Sequence, residues 1–216
     1  MSTNCKQMII YENNDIIAIN KPAGVNFDWV LEGRKDLKVV HRLDKDTSGV
    51  ILFAKNKETQ EYLRGLFQNH KIKKIYLALV AGNVKNNSGI INLPIGRSKK
   101  TPLKRVAIGE QRGKIREAVT EYKVLKRFNG FTLLEVYPKT GRTHQIRSHF
   151  AAIGHPVACD NLYGGKNRPP AGGCPAGLAR QFLHASAIDF ILPSGGRIKL
   201  EADLPEDLKK TLDMLS

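Results

Sequence analysis

The stretch HRLDKDTSGVILFA, residues 41–54, carries two kinds of signal side by side. Its second part, VILFA, is a short unbroken apolar run, which predicts a buried strand. Its first part ends in Thr-Ser-Gly, a group of hydroxyls and a glycine that suits a tight turn before that strand. We therefore expect Asp44 to lie at the mouth of a sheet, where it either caps the turn together with Asp46 or takes part in chemistry.

Two short strands precede this stretch. Ile9 and Tyr11 alternate in the first, and the second contains the β-branched residues Ile16, Ile17 and Ile19. The intervening Asn-Asn-Asp sequence is typical of a turn, and the Lys-Pro-Ala-Gly sequence that follows the second strand breaks the pattern.

A helix and a further strand follow the stretch. Apolar residues recur at helical spacing beyond Asn56 and predict a helix over about residues 57–69. They are Tyr62, Leu63, Leu66 and Phe67. Alternating apolar residues from Ile75 then predict a strand that ends at Gly82.

The second half of the chain continues with a hairpin and a helix. Residues 118–128 and 131–137 flank Asn129-Gly130, a pair that suits a type I′ turn. Thr-Gly then leads into a helix, which ends at Gly154-His155-Pro156 with Gly just past the end and Pro soon after. One face of this helix should be buried, namely Ile146, His149, Phe150 and Ile153.

The C-terminal third is predicted to be less regular. Residues 157–181 are rich in Gly and Pro and are expected to form a loop. Residues 190–192 and 198–200 form a last hairpin around Gly-Gly, and Pro205 opens a terminal helix at a position that Pro favours.

These elements predict an α+β fold, a mostly antiparallel mixed sheet with helices packed around it. Regular strand-helix-strand alternation is absent, and neither GxGxxG nor GxxxxGK[ST] occurs. A dinucleotide-binding fold and a nucleotide cofactor are therefore not expected. The length of 216 residues fits one large domain or two small ones, and we expect residues 1–216 to form a single domain.

An excess of positive charge indicates the class of partner. Lys and Arg number 35 against 20 Asp and Glu, for a formal net charge of +15. This balance favours a polyanion, either nucleic acid or an anionic membrane surface. No apolar stretch approaches the roughly 18 residues that a membrane span needs, and the first residues lack the pattern of a secretion signal. We expect a nucleic-acid partner and no membrane association.

The cysteines and histidines do not predict a metal site. Cys5, Cys159 and Cys174 are odd in number and far apart, which predicts reduced thiols in a cytoplasmic protein. A metal-dependent hydrolase is one alternative, with zinc held by some of six side chains. They are Cys159, Cys174, His144, His149, His155 and His184. Their spacing matches no pattern of paired zinc ligands, so no metal is expected.

A second segment with chemical content is YPKTGRTHQIRSH, residues 137–149. It places Arg142 and Arg147 at the start of a helix, where the helix dipole opposes positive charge. Two arginines there indicate a nearby anion, either a carboxylate or a phosphate, although a solvated polar face would also account for them.

A third segment is KIKKIYLALVAG, residues 71–82. Three lysines lead into a strand that carries Tyr76. A tyrosine on a strand usually belongs to the core, but beside a basic run it can instead stack on a nucleic-acid base.

The three segments, in this order, resemble the RluA-type pseudouridine synthases. Further stretches of the chain look like the same family, namely INKPAGV at residues 19–25, GHPVACDNLYGG at 154–165 and RQFLHASAIDF at 180–190. The resemblance implies the pseudouridine synthase catalytic fold. It also implies an enzyme that isomerises specific uridines in structured RNA, either ribosomal or transfer RNA, by detaching, rotating and rejoining the base. Such an isomerisation needs no cofactor.

The resemblance assigns the catalytic roles. Asp44 matches the catalytic carboxylate, which either attacks the sugar or base or stabilises a cationic sugar and takes a proton. A carboxylate in a dry pocket needs a nearby cation to stay ionised, and Arg147 matches that cation. Tyr76 matches the tyrosine that packs on the target base, with a ring for stacking and a hydroxyl for a hydrogen bond.

The resemblance also assigns residues to base flipping and RNA binding. Arg42 matches the arginine that occupies the space left by the flipped base, a task that suits a flat guanidinium. Ile146 would form an apolar wall of the pocket, and Lys21 either shapes the pocket or touches phosphate. A further group is expected to hold the start of the helix instead, namely Arg142, Thr143, His144 and Gln145.

The chain differs from many members of the family in one respect. Many members carry an N-terminal S4-type RNA-binding domain, and none is expected here because the catalytic pattern starts by Ile9.

Residues 97–116 carry eight Lys or Arg against one Glu and are expected to form an exposed loop or hairpin on the RNA backbone, if they are not merely solvated. We expect a cytoplasmic monomer. The alternative function is a catalytically inactive RNA-binding protein or RNA chaperone.

Overall fold

The computed structural model describes residues 8–164 and 174–215. It divides the chain into two compact units. The first contains the chain up to Lys74 together with His184–Leu204, and the second contains Ile75–Leu183 and the chain from Pro205. Cys5, and the part of the predicted loop that covers residues 165–173, lie outside the described residues.

Strands account for most of the regular structure. In chain order they are β1 Ile9–Glu12, β2 Ile16–Lys21, β3 Lys38–Val39, β4 Ser48–Ala54, β5 Lys73–Ala81, β6 Ser88–Asn92, β7 Ile95–Ser98, β8 Arg105–Val106, β9 Gln111–Arg116, β10 Val119–Phe128, β11 Phe131–Pro138, β12 Leu183–Ile191 and β13 Arg197–Glu201. The α-helices are α1 Lys57–Gln68, α2 Gln145–Ala152 and α3 Glu206–Asp213, and two 3-10 helices cover Phe27–Gly33 and Pro175–Gly177. None of the helices in the described part of the chain is long and apolar enough to cross a membrane.

The sheet of the first unit is built around β4. The strands follow the order β1-β2-β4-β12, with β3 also paired to β4 and β13 paired to β12. The β2 and β4 strands are antiparallel over six residue pairs, from Ile16 opposite Ala54 to Lys21 opposite Gly49. The β4 and β12 strands are parallel, with Ser48 opposite His184. This combination is the mostly antiparallel mixed sheet that the sequence predicts.

The core of the first unit confirms the local predictions around the opening stretch. Every residue of β4 is buried, as expected for an apolar run without alternation. The Asn13 side chain forms the predicted turn between β1 and β2 by accepting hydrogen bonds from two backbone N–H groups. The α1 helix begins at Asn56, whose side chain accepts from the Thr59 N–H, and it packs Leu63 into the core beneath β4.

The second unit contains an antiparallel sheet of order β5-β11-β10-β6. The predicted hairpin is present, because Phe128 pairs with Phe131 at the end of β10 and β11. The predicted type I′ turn is wrong, since Gly130 has a φ of +78° but Asn129 is not a left-handed residue. The positive φ falls on glycine alone, which has no Cβ to oppose it.

Residues 95–116 form a small sheet of their own, where we expected an exposed loop or hairpin. Its three strands follow the order β8-β7-β9 and are antiparallel. Alternating apolar residues do not mark these strands, because five of the six residues of β9 are exposed. A period-2 signal arises only when one face of a strand is buried.

The α2 helix carries the predicted buried face with one exception. Ile146 and Phe150 are buried in the core of the second unit, and His149 is fully buried. Ile153 is 38% exposed because the helix ends at Ala152, so that Ile153 lies past the last turn. Gly154 follows with a φ of +82°, as predicted for a glycine just past a helix end.

Candidate active site

Asp44 lies in the turn that leads into β4, in the first unit. Its backbone carbonyl accepts a hydrogen bond from the Thr47 N–H at 3.1 Å. The next residue, Lys45, offers its carbonyl to the Gly24 N–H, also at 3.1 Å, which joins the turn to the segment after β2. Asp44 itself is partly exposed, and its neighbour Leu43 is buried. The turn is therefore anchored on both sides while Asp44 remains partly exposed.

Lys21 is buried completely beneath this turn. Its Nζ donates to the backbone carbonyls of Pro22 at 2.8 Å and of Val25 and Lys45 at 2.9 Å. Three accepting carbonyls match the three donors of an ammonium group. Of the two roles that the sequence left open, this geometry favours shaping the site over touching phosphate.

His41, three residues before Asp44, supports β4. Its Nε2 accepts a hydrogen bond from the Leu52 N–H at 2.9 Å, and its ring stacks on Phe67 at 4.6 Å. Desolvation, with a smaller contribution from the positive charge of Lys74, lowers the pKa of His41 to about 3. The imidazole is therefore neutral at physiological pH and serves as an acceptor for the strand.

Arg42 points its guanidinium over the ring of Phe27, with 5.4 Å between the Cζ atom and the ring centroid. Arg42 is exposed and Phe27 is partly buried. A guanidinium that already lies against an aromatic ring can exchange that ring for a nucleic-acid base at little cost.

Tyr76 and Ile146 lie together in the second unit. Tyr76 is on β5, where it pairs with Val136 of β11. It is partly buried and packs against the core cluster that contains Ile146, which is 6% exposed. The ring of Tyr76 is therefore supported by the core on one side, as a stacking platform requires.

Arg147 forms a buried bidentate ion pair with Asp160. Its Nε donates to Oδ2 at 2.6 Å and its Nη2 donates to Oδ1 at 2.9 Å. The Asp160 side chain has no exposed surface and that of Arg147 is 9% exposed. This pair supplies the carboxylate that two arginines near a helix start indicate, and it fixes the plane of the guanidinium.

Sequence reasoning did not single out Asp160 or Tyr163. Asp160 Oδ1 also accepts from the N–H groups of Leu162 at 2.9 Å and Tyr163 at 3.0 Å, and the Tyr163 ring lies 5.1 Å from the Arg147 Cζ. Both residues belong to the stretch GHPVACDNLYGG, which carried the resemblance but no assigned role. The available signal was a single acid directly after the apolar run at residues 157–159, where an ion-pair partner is expected.

Two of the four residues expected to hold the start of α2, Arg142 and Gln145, do so. Gln145 Oε1 accepts from the Thr140 hydroxyl at 2.6 Å and from the Arg142 N–H at 2.9 Å. Its amide nitrogen donates to the Val119 carbonyl at 3.0 Å. Arg142 donates through Nε to the Glu117 carbonyl, and His144 adopts a left-handed conformation at the N-cap. These contacts join the helix start to β10.

The histidines considered as zinc ligands have other partners. Both ring nitrogens of His149 are hydrogen-bonded, to the Thr120 hydroxyl and the Leu93 carbonyl. Those of His184 are bonded to the Ser48 hydroxyl and the Ala202 carbonyl, and His155 Nδ1 is bonded to the Ala81 carbonyl. Within residues 8–164 and 174–215, no group of three or more potential ligands could hold a metal ion.

Two of the cysteines differ from expectation. Cys159 and Cys174 are joined by a disulfide, although their spacing and number predicted reduced thiols. The sequence did not show this because the two residues are 15 positions apart, and only the fold brings their Cα atoms to 5.4 Å.

A model of the family described as RNA pseudouridylate synthase matches residues 15–152. The chain belongs to this family. The match includes the Asp44 turn, the Tyr76 strand and the α2 helix, and it confirms the resemblance seen in the motifs. The members of this family isomerise uridine in RNA, and the protein is accordingly an RNA pseudouridine synthase, an isomerase that acts on RNA.

Curated relatives match nearly the whole chain. Ribosomal large subunit pseudouridine synthase C of Vibrio parahaemolyticus is 36% identical over 222 residues, which cover 96% of this chain and 69% of the relative. The C enzyme of Escherichia coli is also 36% identical, with 96% and 70% covered. Ribosomal large subunit pseudouridine synthase D of Nitrosomonas europaea is 38% identical, with 96% and 64% covered.

Solved structures agree with the fold. Human RNA pseudouridylate synthase domain containing 4 has a TM-score of 0.78 and 26% identity over 98% of this chain and 94% of that one. Human RNA pseudouridylate synthase domain containing 1 has a TM-score of 0.76 and 27% identity, with 91% and 83% covered. The predicted fold class, the α+β pseudouridine synthase catalytic fold, is confirmed.

Proposed function

We propose that Asp44 is the carboxylate that acts on the target uridine. The observation that supports this role is its turn, which Lys21, Gly24 and Thr47 anchor through hydrogen bonds while Asp44 stays partly exposed. A carboxylate held in this way can attack the sugar or base, or stabilise a cationic sugar and take a proton. Both routes use the ionised form of Asp44.

Arg147 and Tyr76 complete the proposed catalytic set. Arg147 matches the cation that the catalytic carboxylate of the family needs to stay ionised, and the fixed position of its guanidinium in the buried ion pair with Asp160 supports this role. Tyr76 provides a ring for the base, with its other contacts made to the core. Ile146 forms part of the apolar wall behind the ring.

A tritium-release assay tests the proposal for Asp44. RNA from cells that lack this gene is labelled with tritium at carbon 5 of uridine, and formation of pseudouridine releases the label. We expect release by the wild type and none by Asp44→Asn. Asp46→Asn is the matched control, since it removes the same charge from the same turn and should leave the release rate within about threefold. Release by Asp44→Asn at the wild-type rate would contradict the proposal.

Arg42 is proposed to fill the space that the flipped uridine leaves. Extruding a stacked base costs a few kcal/mol, and the exposed guanidinium over Phe27 is suited to replace it. Arg42→Lys keeps the charge but loses the flat surface. We expect it to slow single-turnover reaction on folded RNA by about tenfold, while a short unstructured RNA reacts at the wild-type rate. Equal slowing on both RNAs would contradict a role in flipping.

The small sheet is proposed to bind the RNA backbone. Arg97 on β7 lies directly opposite Arg105 on β8 and Arg112 on β9, so three adjacent strands carry arginines in one cross-strand row. Directly opposed like charges destabilise a sheet. A phosphate backbone along this row would remove the repulsion. We call these three residues the arginine row.

Apolar side chains accompany the arginine row. Leu103, Ile108 and Ile115 are 77%, 60% and 52% exposed, although each is large and hydrophobic. Together with six exposed basic residues they make a mixed surface, which suits RNA because it offers cations to phosphates and apolar contacts to bases. The exposed basic residues are Arg97, Lys99, Lys100, Arg112, Lys114 and Arg116.

The proposed substrate is the RNA of the large ribosomal subunit. Several curated relatives carry the large ribosomal subunit in their names and share about 36% of residues with this chain. Transfer RNA is the alternative. Labelled ribosomal and transfer RNA from cells lacking the gene should be assayed separately. We expect tritium release from large-subunit RNA, and release from transfer RNA alone would reassign the substrate.

We also propose that the protein acts as a monomer in the cytoplasm, as one catalytic domain. Ribosomal RNA is made and modified inside the cell, which supports the location. The monomer is tested by measuring the molar mass in solution by light scattering, with 24.1 kDa as the expected value.

A further inference from the structure

Tyr163 is the side chain on which several parts of the second unit converge. Its ring lies 5.1 Å from the Arg147 Cζ and 5.5 Å from the Lys104 Nζ. Its hydroxyl accepts a hydrogen bond from the Arg105 N–H at 2.8 Å and lies 3.0 Å from His144 Nδ1. Tyr163 is 8% exposed, so these contacts are largely shielded from water.

The first set of contacts fixes the guanidinium of Arg147. Asp160 holds its Nε and Nη2 atoms, and the Tyr163 ring lies against it. The same Asp160 carboxylate accepts the N–H of Tyr163, so the ring and the ion pair belong to one rigid turn. An arginine side chain has large rotamer freedom, and these contacts remove it before substrate arrives.

The second set of contacts leads to the small sheet. The Arg105 N–H that the Tyr163 hydroxyl accepts belongs to β8, and the Arg105 side chain is one end of the arginine row. Lys104, whose ammonium group lies over the Tyr163 ring, is the residue before β8. Any displacement of β8 would therefore change the hydrogen bond between the Arg105 N–H and the Tyr163 hydroxyl.

We propose that Tyr163 is a positioning residue that links occupation of the arginine row by RNA phosphates to the orientation of Arg147. The hydrogen bond to the Arg105 N–H couples the Tyr163 hydroxyl to the position of β8. The contact between the Tyr163 ring and the Arg147 guanidinium then couples that position to the orientation of the guanidinium. This inference rests on the proposed role of Arg147. It identifies Tyr163 as the residue that orients the Arg147 guanidinium. The Arg147 guanidinium then reaches its productive orientation when the RNA backbone is bound to the arginine row.

Tyr163→Phe tests the link because it removes the hydroxyl and keeps the ring. The matched control is Tyr62→Phe in the first unit, which also removes a tyrosine hydroxyl that is hydrogen-bonded to the backbone. We expect Tyr163→Phe to lower the single-turnover rate constant about tenfold at saturating enzyme. The Kd for RNA should stay within about twofold, and the control should match the wild type in both. Rates are compared per folded protein, measured by circular dichroism.

A double-mutant cycle with Arg97→Ala tests the direction of the link. At saturating enzyme, Arg97→Ala should slow the wild type but not slow Tyr163→Phe further, because the connection is already cut. Its effect on the Kd should be the same in both backgrounds. A Tyr163→Phe rate equal to that of Tyr62→Phe would overturn the inference, and so would an equal Arg97→Ala slowing in both backgrounds.

The Arg147→Lys variant distinguishes a failure of this inference from a failure of the proposed role of Arg147. If Arg147→Lys retains the wild-type rate while Asp44→Asn is inactive, the role of Arg147 is wrong and the inference fails with it. If Arg147→Lys is slowed at least about a hundredfold and Tyr163→Phe is not slowed, the role of Arg147 stands and only the inference fails.

Discussion

Lys21 and Arg147 are both buried cations, but their surroundings suit different roles. Lys21 Nζ lies among three backbone carbonyls, two of which belong to the segment after β2 and one to Lys45. Arg147 is held by the Asp160 carboxylate. A buried charge without hydrogen-bond partners costs several kcal/mol. Lys21 and Arg147 therefore each need hydrogen-bond acceptors around the charged group. The charge of Lys21 is used to hold two chain segments together, and the setting of Arg147 fixes a guanidinium plane.

The three carbonyls around Lys21 lead to a prediction about stability. Lys21→Met keeps the length of the side chain but leaves these acceptors without their donor. We expect the free energy of unfolding to fall by about 2–4 kcal/mol. Lys45→Met, which changes an exposed lysine one residue from Asp44, should alter it by less than about 0.5 kcal/mol. Denaturant unfolding of both variants makes the comparison, and equal stabilities would show that the three hydrogen bonds contribute nothing net.

His41 leads to a prediction about pH. Burial lowers its pKa to about 3 in the folded protein, from the ordinary histidine value of 6.5 that applies to the unfolded chain. Between these values the unfolded chain binds a proton that the folded protein does not. The contribution of neutral His41 to the free energy of unfolding is therefore fully present above pH 6.5 and is lost as the pH falls toward 3. For this partly buried ring, we expect a loss of about 1–2 kcal/mol on going from about pH 7 to about pH 5.

The measurement is the free energy of unfolding at these two pH values, for the wild type and two variants. His41→Asn should show a smaller difference between the two pH values than the wild type. His70→Asn is the control, because His70 is exposed and its left-handed φ of 57° is one that asparagine tolerates. A wild-type difference that survives in His41→Asn would assign the pH dependence to other groups.

At the scale of elements, the parallel pair of β4 and β12 imposes the strictest local requirement. Gly49 has a φ of +114° and lies opposite Ala185 in this pair. A Cβ at position 49 would collide with the backbone of Ala185. The glycine of the Thr-Ser-Gly turn is therefore required for close approach of two strands, in addition to the turn itself.

A pair of glycine variants tests this requirement. Gly49→Ala should lower the free energy of unfolding by about 2–4 kcal/mol, because it combines backbone strain with a backbone clash. Gly65→Ala, in the middle of α1 where nothing lies within 4 Å of the new Cβ, should instead raise it by about 0.5–1 kcal/mol. Thermal unfolding of the two proteins should shift in opposite directions. A shift in the same direction would contradict the argument from close approach.

The elements that the sequence predicted well are those with a local cause. The Asn13 turn, the start of α1 at Asn56 and the end of α2 at Gly154 each depend on residues close by in the chain. The three strands of the small sheet were missed because their exposed faces leave no periodic pattern. The parallel pairing of β4 with β12 joins residues 136 positions apart, as in the hydrogen bond between Ser48 and His184. No local pattern specifies such a partner.

The residues of the candidate site also fall into two groups, those that the sequence motifs predicted and those that only the folded structure brings into contact. Asp44, Tyr76 and Arg147 were assigned from segments whose order resembles a family. The family membership is confirmed, and the roles of these residues stay predictions. Asp160 and Tyr163 were not found, because their importance comes from contacts with Arg147 and Arg105 that only the fold creates. The disulfide of Cys159 is a further contact of this kind.

At the scale of the whole molecule, one segment of 20 residues carries a disproportionate share of the positive charge. Eight of the 35 basic residues lie in residues 97–116, against one acidic residue there. Net charge by itself attracts any polyanion from a distance, whereas a structured row of cations binds phosphates at defined places. The two effects differ in their salt dependence, since only direct phosphate contacts release condensed counterions in proportion to their number.

Two charge-reversal variants with the same net charge separate these effects. In the first, Arg97, Lys99, Arg112 and Lys114 become Glu, and in the second the exposed residues Lys57, Lys199, Lys209 and Lys210 become Glu. The first variant should bind RNA more weakly and reduce the slope of log affinity against log salt by about 3, as the loss of four phosphate contacts predicts. The second should keep the wild-type slope and lose affinity only at low salt. Filter binding from about 50 to 300 mM salt measures both slopes. If the two variants behave alike, net charge accounts for RNA binding, and the arginine row has no specific part in it.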